Sequence, residues 1–156
     1  MVVDAKVRKM WTFCTPGKRS PLATVKFLLE QLKQMGRQVV NIRTDLGGEL
    51  ARSSEFCNLL VKEYQCGLQT IGRYSSWLNG KVERHIRTLE NTARKIRGDA
   101  NLPATLWCYS YENATDIYGV MIHSATQDSP AYQWYGTRRS IYDFKVWGCH
   151  IEAVHG

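Results

Sequence analysis

The chain is predicted to be an α/β protein, a mixed sheet flanked by helices. Three observations predict it. Short runs of β-branched residues alternate with longer stretches whose apolar residues recur at steps of three and four. The run from Val39 to Asp45 is dense in β-branched residues and is broken by Leu46-Gly47-Gly48, as a strand leading into a loop would be. The stretch NGKVERHIRTLENTARKIR, from Asn79 to Arg97, carries Leu78, Val82, Ile86, Leu89, Ala93 and Ile96 as one apolar stripe at helical spacing.

Taken in order, Val2-Val3 and the run from Val7 to Thr12 read as two strands joined by a turn. Pro16-Gly17 is a turn. Ser20 is the expected N-cap of a helix with Pro21 at its first position. That helix buries Val25, Leu28, Leu29 and Leu32, and Gly36 is expected to cap its C-terminus. The Val39–Asp45 strand follows. Ser53 or Ser54 opens a helix to about Gln65 that buries Phe56, Leu59, Leu60 and Tyr64. Cys66 to Gly72 is a further strand, and RYSSWL, from Arg73 to Leu78, is a polar and aromatic loop. Gly98 and Asp99 should end the basic helix. Asn101 should cap the next one, whose apolar stripe is Trp107, Tyr111, Ala114, Tyr118 and Met121. After Pro130 and Trp134-Tyr135-Gly136, the run from Phe144 to Ala153 reads as a strand. The expected division is a core over residues 1–122 and a C-terminal extension over 123–156.

With 156 residues, 44% of them hydrophobic and 11% aromatic, the chain can bury one real core and is not a disordered tail. No stretch is apolar enough to span a bilayer, and MVVDAKVRKMW lacks the pattern of a signal peptide. The five cysteines are scattered, without a C-x-x-C pair or a zinc spacing. They are expected to be reduced thiols in a nuclear or cytoplasmic compartment. The net charge of +7 and a pI near 9.3 are the footprint of a nucleic-acid-binding domain. Its densest part is the helix, where Lys81, Arg84, His85, Arg87, Arg94, Lys95 and Arg97 surround the apolar stripe.

Two carboxylates stand in this basic setting. Glu83 lies near the start of the helix. It either pairs with Arg87 on a solvated face, as Glu90 would with Arg94, or is offered to a metal ion beside a phosphate backbone. Asp45 ends a strand immediately before Gly-Gly. It is either a turn aspartate bonding its own backbone or an open ligand outside a strand end. The intervening helix, strand and loop can return the chain to bring the two together. Oxygen donors in a basic cleft suit magnesium or manganese and a phosphodiester, a chemistry that uses two ions roughly 3.5–4 Å apart.

The stretches RTDLGGEL and NGKVERHIRTLENTARKI, separated by EFCNLLVKEYQCGLQ and a loop, resemble the catalytic core of copia-type retrotransposon integrases. That family carries Asp-Asn-Gly-Gly-Glu-Phe at one catalytic aspartate and Pro-Gln-x-Asn-Gly-x-x-Glu-Arg-x-x-Arg-Thr-Leu at a catalytic glutamate. LPATLWCYSYENATDIYG, SPAYQWYGTRRSIYDFKVWGCHI and VVDAKVRKMWTF resemble its later and earlier segments, so the likeness covers nearly the whole chain. It implies a ribonuclease-H-like mixed sheet flanked by helices, magnesium (or manganese) dependence and DNA strand transfer. Asp45 and Glu83 match the second and third members of the family's acidic triad and would be the catalytic and metal-binding residues. Lys81, Arg84, Arg87, Arg94 and Lys95 are the expected DNA contacts, not sharing one face, and Tyr74 and Trp77 either stack on a base or pack at the helix start.

The chain departs from the family pattern at Leu46, at Leu50 and in SSWLNG, which lacks the Pro and Gln before Asn-Gly. The family's first catalytic aspartate lies on a first strand upstream of the segment matched by VVDA, and nothing in this sequence corresponds to it or to the family's zinc-binding domain. Asp4 matches a turn position away from the metal. The expectation is therefore an integrase-core fragment lacking the first strand, holding its metal weakly and inactive as written. The alternatives are a non-catalytic DNA-binding or protein-interaction remnant and a ribonuclease acting on RNA–DNA hybrids. The partners expected are DNA and a second copy of the chain, not a membrane.

Overall fold

A computed structural model describes residues 1–15, 21–45, 53–71 and 80–149. The chain divides into two compact units. One is formed by Met1–Cys14 and Val82–Gly156, the other by Thr15–Lys81. The architecture is mixed α/β, but the described strands form two separate hydrogen-bonded pairs, one in each unit, rather than one mixed sheet.

In the unit Thr15–Lys81, helix α1 (Leu22–Gln34) buries Leu28, Leu29 and Leu32. It ends as its glycine predicts. Gly36 adopts a left-handed φ of 69°, its N–H donates to the Lys33 carbonyl, and the Arg37 N–H reaches back to the Leu32 carbonyl. Strand β3 (Asn41–Asp45) follows, shorter than predicted because Val39 and Val40 precede the ladder. Ser53 caps α2 (Ser54–Asn58) by accepting the Phe56 N–H, and a π-helical turn, Leu59–Glu63, continues it. The predicted N-cap Ser20 lies outside the described residues.

Strand β4 (Gly67–Ile71) then pairs parallel with β3, from Asn41 opposite Gly67 to Asp45 opposite Ile71. A parallel pair needs a crossover, and the α2 segment supplies it. Gly67 stands at the first rung, where a Cβ would displace the exposed Asn41 side chain. Leu29, Phe56, Leu59, Leu60 and Cys66 form the core of this unit, with Val25, Ile42 and Leu68 packed around it.

In the other unit, β1 (Val2–Val3) pairs antiparallel with β2 (Met10–Trp11). Asp4 organises the turn. Its Oδ1 accepts the Lys6 and Val7 N–H groups, and Arg8 turns back with φ of 61°. Helix α3 (Gly80–Asp99) packs against this hairpin and against α4 (Trp107–Val120) through Met10, Leu89, Ala93 and Ala114. The Thr12 and Thr115 hydroxyls hydrogen-bond at 3.0 Å beside that core. Helix α5 (Pro130–Tyr135) is capped by Ser129 and closed by Gly136, and it packs on α4.

Four expectations are corrected here. Asn101 does not cap the following helix. It takes a left-handed φ of 49° and closes α3, its N–H donating to the Gly98 carbonyl and that of Leu102 to the Arg97 carbonyl. The most buried residues of α4 are Ser110, Ala114, Thr115 and Gly119; of the predicted stripe, Ala114 is buried and Tyr111 and Tyr118 pack on the core, but Trp107 and Met121 are about half exposed. The predicted strand from Phe144 does not form as far as Cys149, where the chain is turn and bend; its remainder lies outside the described residues. Finally, Cys14 and Cys108 are joined in a disulfide across 94 positions, so not all the cysteines are the reduced thiols expected.

A cross-link closing so long a loop restricts the unfolded chain, an effect typically worth about 2–4 kcal/mol. Urea unfolding of the parent should shift to lower denaturant on adding a reductant, and Cys108→Ser should reproduce that shift without one. Equal midpoints with and without reductant would show that the bridge contributes nothing.

Candidate nucleic-acid interface

The orientation of α3 follows from its burial. His85, Leu89 and Ala93, at steps of four, are at most 9% exposed, and Ile96 packs beside them. The ring of His85 meets Tyr118 edge-on at 5.7 Å. The predicted stripe holds from Leu89 to Ile96 but not before. Val82 and Ile86 are 36% and 39% exposed, because the residues packed on α3 line up with its middle and last turns. Leu78 lies outside the described residues.

That orientation settles the basic face. Arg84, Arg87, Arg94 and Lys95 are all exposed. At about 100° per residue they fall within an arc of about 100° centred opposite Leu89. The expectation that they do not share one face is corrected: the buried line through His85, Leu89 and Ala93 leaves these four together on the solvent side. The side chain of Lys81 lies outside the described residues. Glu83, in the first turn, is exposed at the border of the same arc, where a carboxylate also complements the helix dipole.

One of the two readings of Glu83 paired it with Arg87, and Glu90 with Arg94; neither pair closes. Among the described residues the ion pairs within 4.0 Å are Lys26–Glu63 and Arg138–Asp128. Glu90 instead faces Tyr111, whose hydroxyl is pushed above its ordinary pKa by burial first and by the Glu90 charge second. The four cations Arg84, Arg87, Arg94 and Lys95 lie on the exposed side of α3.

Asp45 is the last residue of β3 and lies opposite Ile71 in the ladder. It belongs to the unit Thr15–Lys81, whereas Glu83 belongs to the other. The Asp45 side chain, the Leu46–Gly48 motif, and the loop with Tyr74 and Trp77 lie outside the described residues. As donors, the two carboxylates fit a hard dication, which selects oxygen ligands. Glu83 is exposed and outside the ion pairs among the described residues. No group of three His, Cys, Asp or Glu side chains placed to hold a metal occurs among the described residues, and no described helix is long and apolar enough to cross a membrane.

Sequence reasoning passed over one constellation, the cations and rings around α5. Its signal is the interleaving of aromatic and basic residues in YQWYGTRRS.

The two faces of α3 make a direct check. Leu89→Ala should cost about 2–5 kcal/mol of stability, as buried leucines do. Arg87→Ala, on the opposite side, should stay within about 0.5 kcal/mol of the parent. Comparable losses from both, in parallel urea titrations, would mean that α3 is turned differently. Compared with the models of known protein families, the chain matches none.

Proposed function

We propose that the chain is an integrase catalytic-core domain of the copia retrotransposon type, a ribonuclease-H-like fold that binds DNA in a family carrying out metal-dependent strand transfer. The observation that carries the DNA-binding part is the α3 face. Arg84, Arg87, Arg94 and Lys95 stand exposed on the side opposite Leu89 and Ala93. Four cations along a rigid helix match the repeating charge of a phosphate backbone. Such contacts hold DNA in register without reading its sequence.

In this reading Asp45 and Glu83 are the carboxylates that hold magnesium or manganese, the ion supplying charge stabilisation at the phosphodiester. Glu83 brings an exposed carboxylate to the edge of the basic face, where a bound phosphate would sit next to it. In this reading the cations of α3 position the backbone and Glu83 contributes a carboxylate beside it. The resemblance supports Asp45 as its partner, from its place at the end of β3.

Duplex DNA binding should weaken steeply with salt. Each phosphate contact removed by replacing Arg84, Arg87, Arg94 or Lys95 with Gln should lower the log–log slope by about 0.9, with little dependence on sequence. Binding that is insensitive to salt would overturn the DNA-binding part of the proposal. For the metal, manganese should tighten DNA binding by the parent chain, and Asp45→Asn or Glu83→Gln should abolish that gain while leaving metal-free binding intact. A manganese response unchanged by either substitution favours the non-catalytic remnant. Cutting of the RNA strand in a hybrid without nicking of DNA favours the ribonuclease.

A further inference from the structure

Helix α5 and strand β2 build a second surface in the unit that carries α3. Along β2 side chains alternate, so Met10 enters the core with Leu89 while Lys9 and Trp11 point to the other side. There Trp11 meets Trp134 edge-on, with ring centroids 5.1 Å apart. Trp134, with Pro130 and Ala131, is the buried side of α5. Tyr132 and Tyr135, three positions apart on one face of α5, are 36% and 53% exposed.

Cations flank both rings. The Lys9 ammonium lies 5.6 Å from the Tyr135 centroid and 6.0 Å from that of Trp11. The Arg138 guanidinium lies 4.4 Å from the Tyr132 centroid and is held by Asp128 at 2.8 Å. Arg139 lies over Phe144 at 5.2 Å. Burial draws the Lys9 ammonium below its ordinary pKa, opposed by the charge of Asp116 and aided to a lesser degree by that of Arg139. Three cations against Asp116 and Asp128 leave the strip positive.

We propose that this strip of Lys9, Tyr132, Tyr135, Arg138 and Arg139 binds single-stranded DNA, unpaired bases stacking on the two tyrosines and phosphates lying against Lys9 and Arg139. The rings supply a π-face that any base can use, and the excess positive charge tracks the strand. The choice of DNA over RNA rests on the function proposed above; the stacking geometry does not.

The test is fluorescence anisotropy of labelled oligothymidylate with the full chain. Tyr135→Ala should weaken binding about 5- to 150-fold, Tyr135→Phe should preserve it, and Arg139→Gln should lower the salt slope by about 0.7. None of the three should alter duplex binding, which reads the α3 face separately. No binding of oligothymidylate by the parent, or equal binding by Tyr135→Ala, would overturn the proposal. So would an oligoglutamate of equal charge that competes as well as the oligonucleotide, which would make the strip a site for acidic protein chains. Tighter binding of oligouridylate would overturn the assignment to DNA. Salt-insensitive duplex binding with intact, tyrosine-dependent oligothymidylate binding would instead locate the failure at α3.

Discussion

The contact between Leu89 and Ala93 of α3 and Met10 and Ala114 of the elements beside it fixes most of what this protein can present to a partner. A helix with basic residues on several sides has no defined face until one side is buried. Once these residues enter the core, the opposite side is determined by the 100° step, and Arg84, Arg87, Arg94 and Lys95 come with it. The same contact makes Met10 the inward residue of β2, which turns Lys9 and Trp11 outward to α5. One packing decision thus orients both cation-bearing surfaces of the unit. The Cys14–Cys108 bridge joins the end of the hairpin segment to α4 and holds that decision covalently.

The other unit rests on a different device. Its parallel pair has no tight turn to set its register, so register comes from the crossover and from core side chains on both elements. Phe56 and Leu60 are fully buried in the crossover, and Ile42 and Leu68 pack on the same cluster from the two strands. A one-residue slip would turn Ile42 and Leu68 away from that cluster. Asp45 closes the ladder at the point where the chain leaves it. That is where α/β proteins place reactive groups, because a side chain there escapes the sheet.

What could be read from the sequence was mostly local. The Gly36 stop, the Ser53 cap, the β3 and β4 segments and the span of α3 each depend on residues within a turn or two, and each forms close to its predicted position. What could not be read depends on partners distant in sequence. Of the α4 stripe Trp107, Tyr111, Ala114, Tyr118 and Met121, the middle holds: Ala114 is buried and Tyr111 and Tyr118 pack on the core, while Trp107 and Met121 at its ends are about half exposed. What the pattern missed is that Ser110 and Thr115 are buried too, their hydroxyls satisfied on the Trp107 and Tyr111 carbonyls. The pairing of cysteines 94 positions apart leaves no periodic trace. Asn101 fits the pattern of an N-cap as well as that of a left-handed C-cap, and only the path of the following loop decides between them. For the candidate site, the residue types of the basic helix and, at 100° per residue, the common arc of its four cations could be read from spacing; which part of the apolar stripe is buried could not, because Val82 and Ile86 fit the same spacing as Leu89, Ala93 and Ile96 yet are exposed.

The positive charge of the chain is therefore of two physical kinds, and net charge alone does not separate them. On α3, three arginines and a lysine project from the exposed side of a helix, where a phosphate can replace their counterions. Around α5, the cations are already engaged: Arg138 by Asp128 and the Tyr132 ring, Arg139 by Phe144, Lys9 by two rings and the Asp116 field. Fewer counterions can be released there, and affinity must come largely from the rings. A face dominated by counterion release suits a continuous duplex backbone. A face of rings braced by cations suits a strand whose bases are already unstacked, since stacking on Tyr135 replaces a neighbour the base has lost. Carrying both in one unit would let a protein hold a duplex and recognise where it opens.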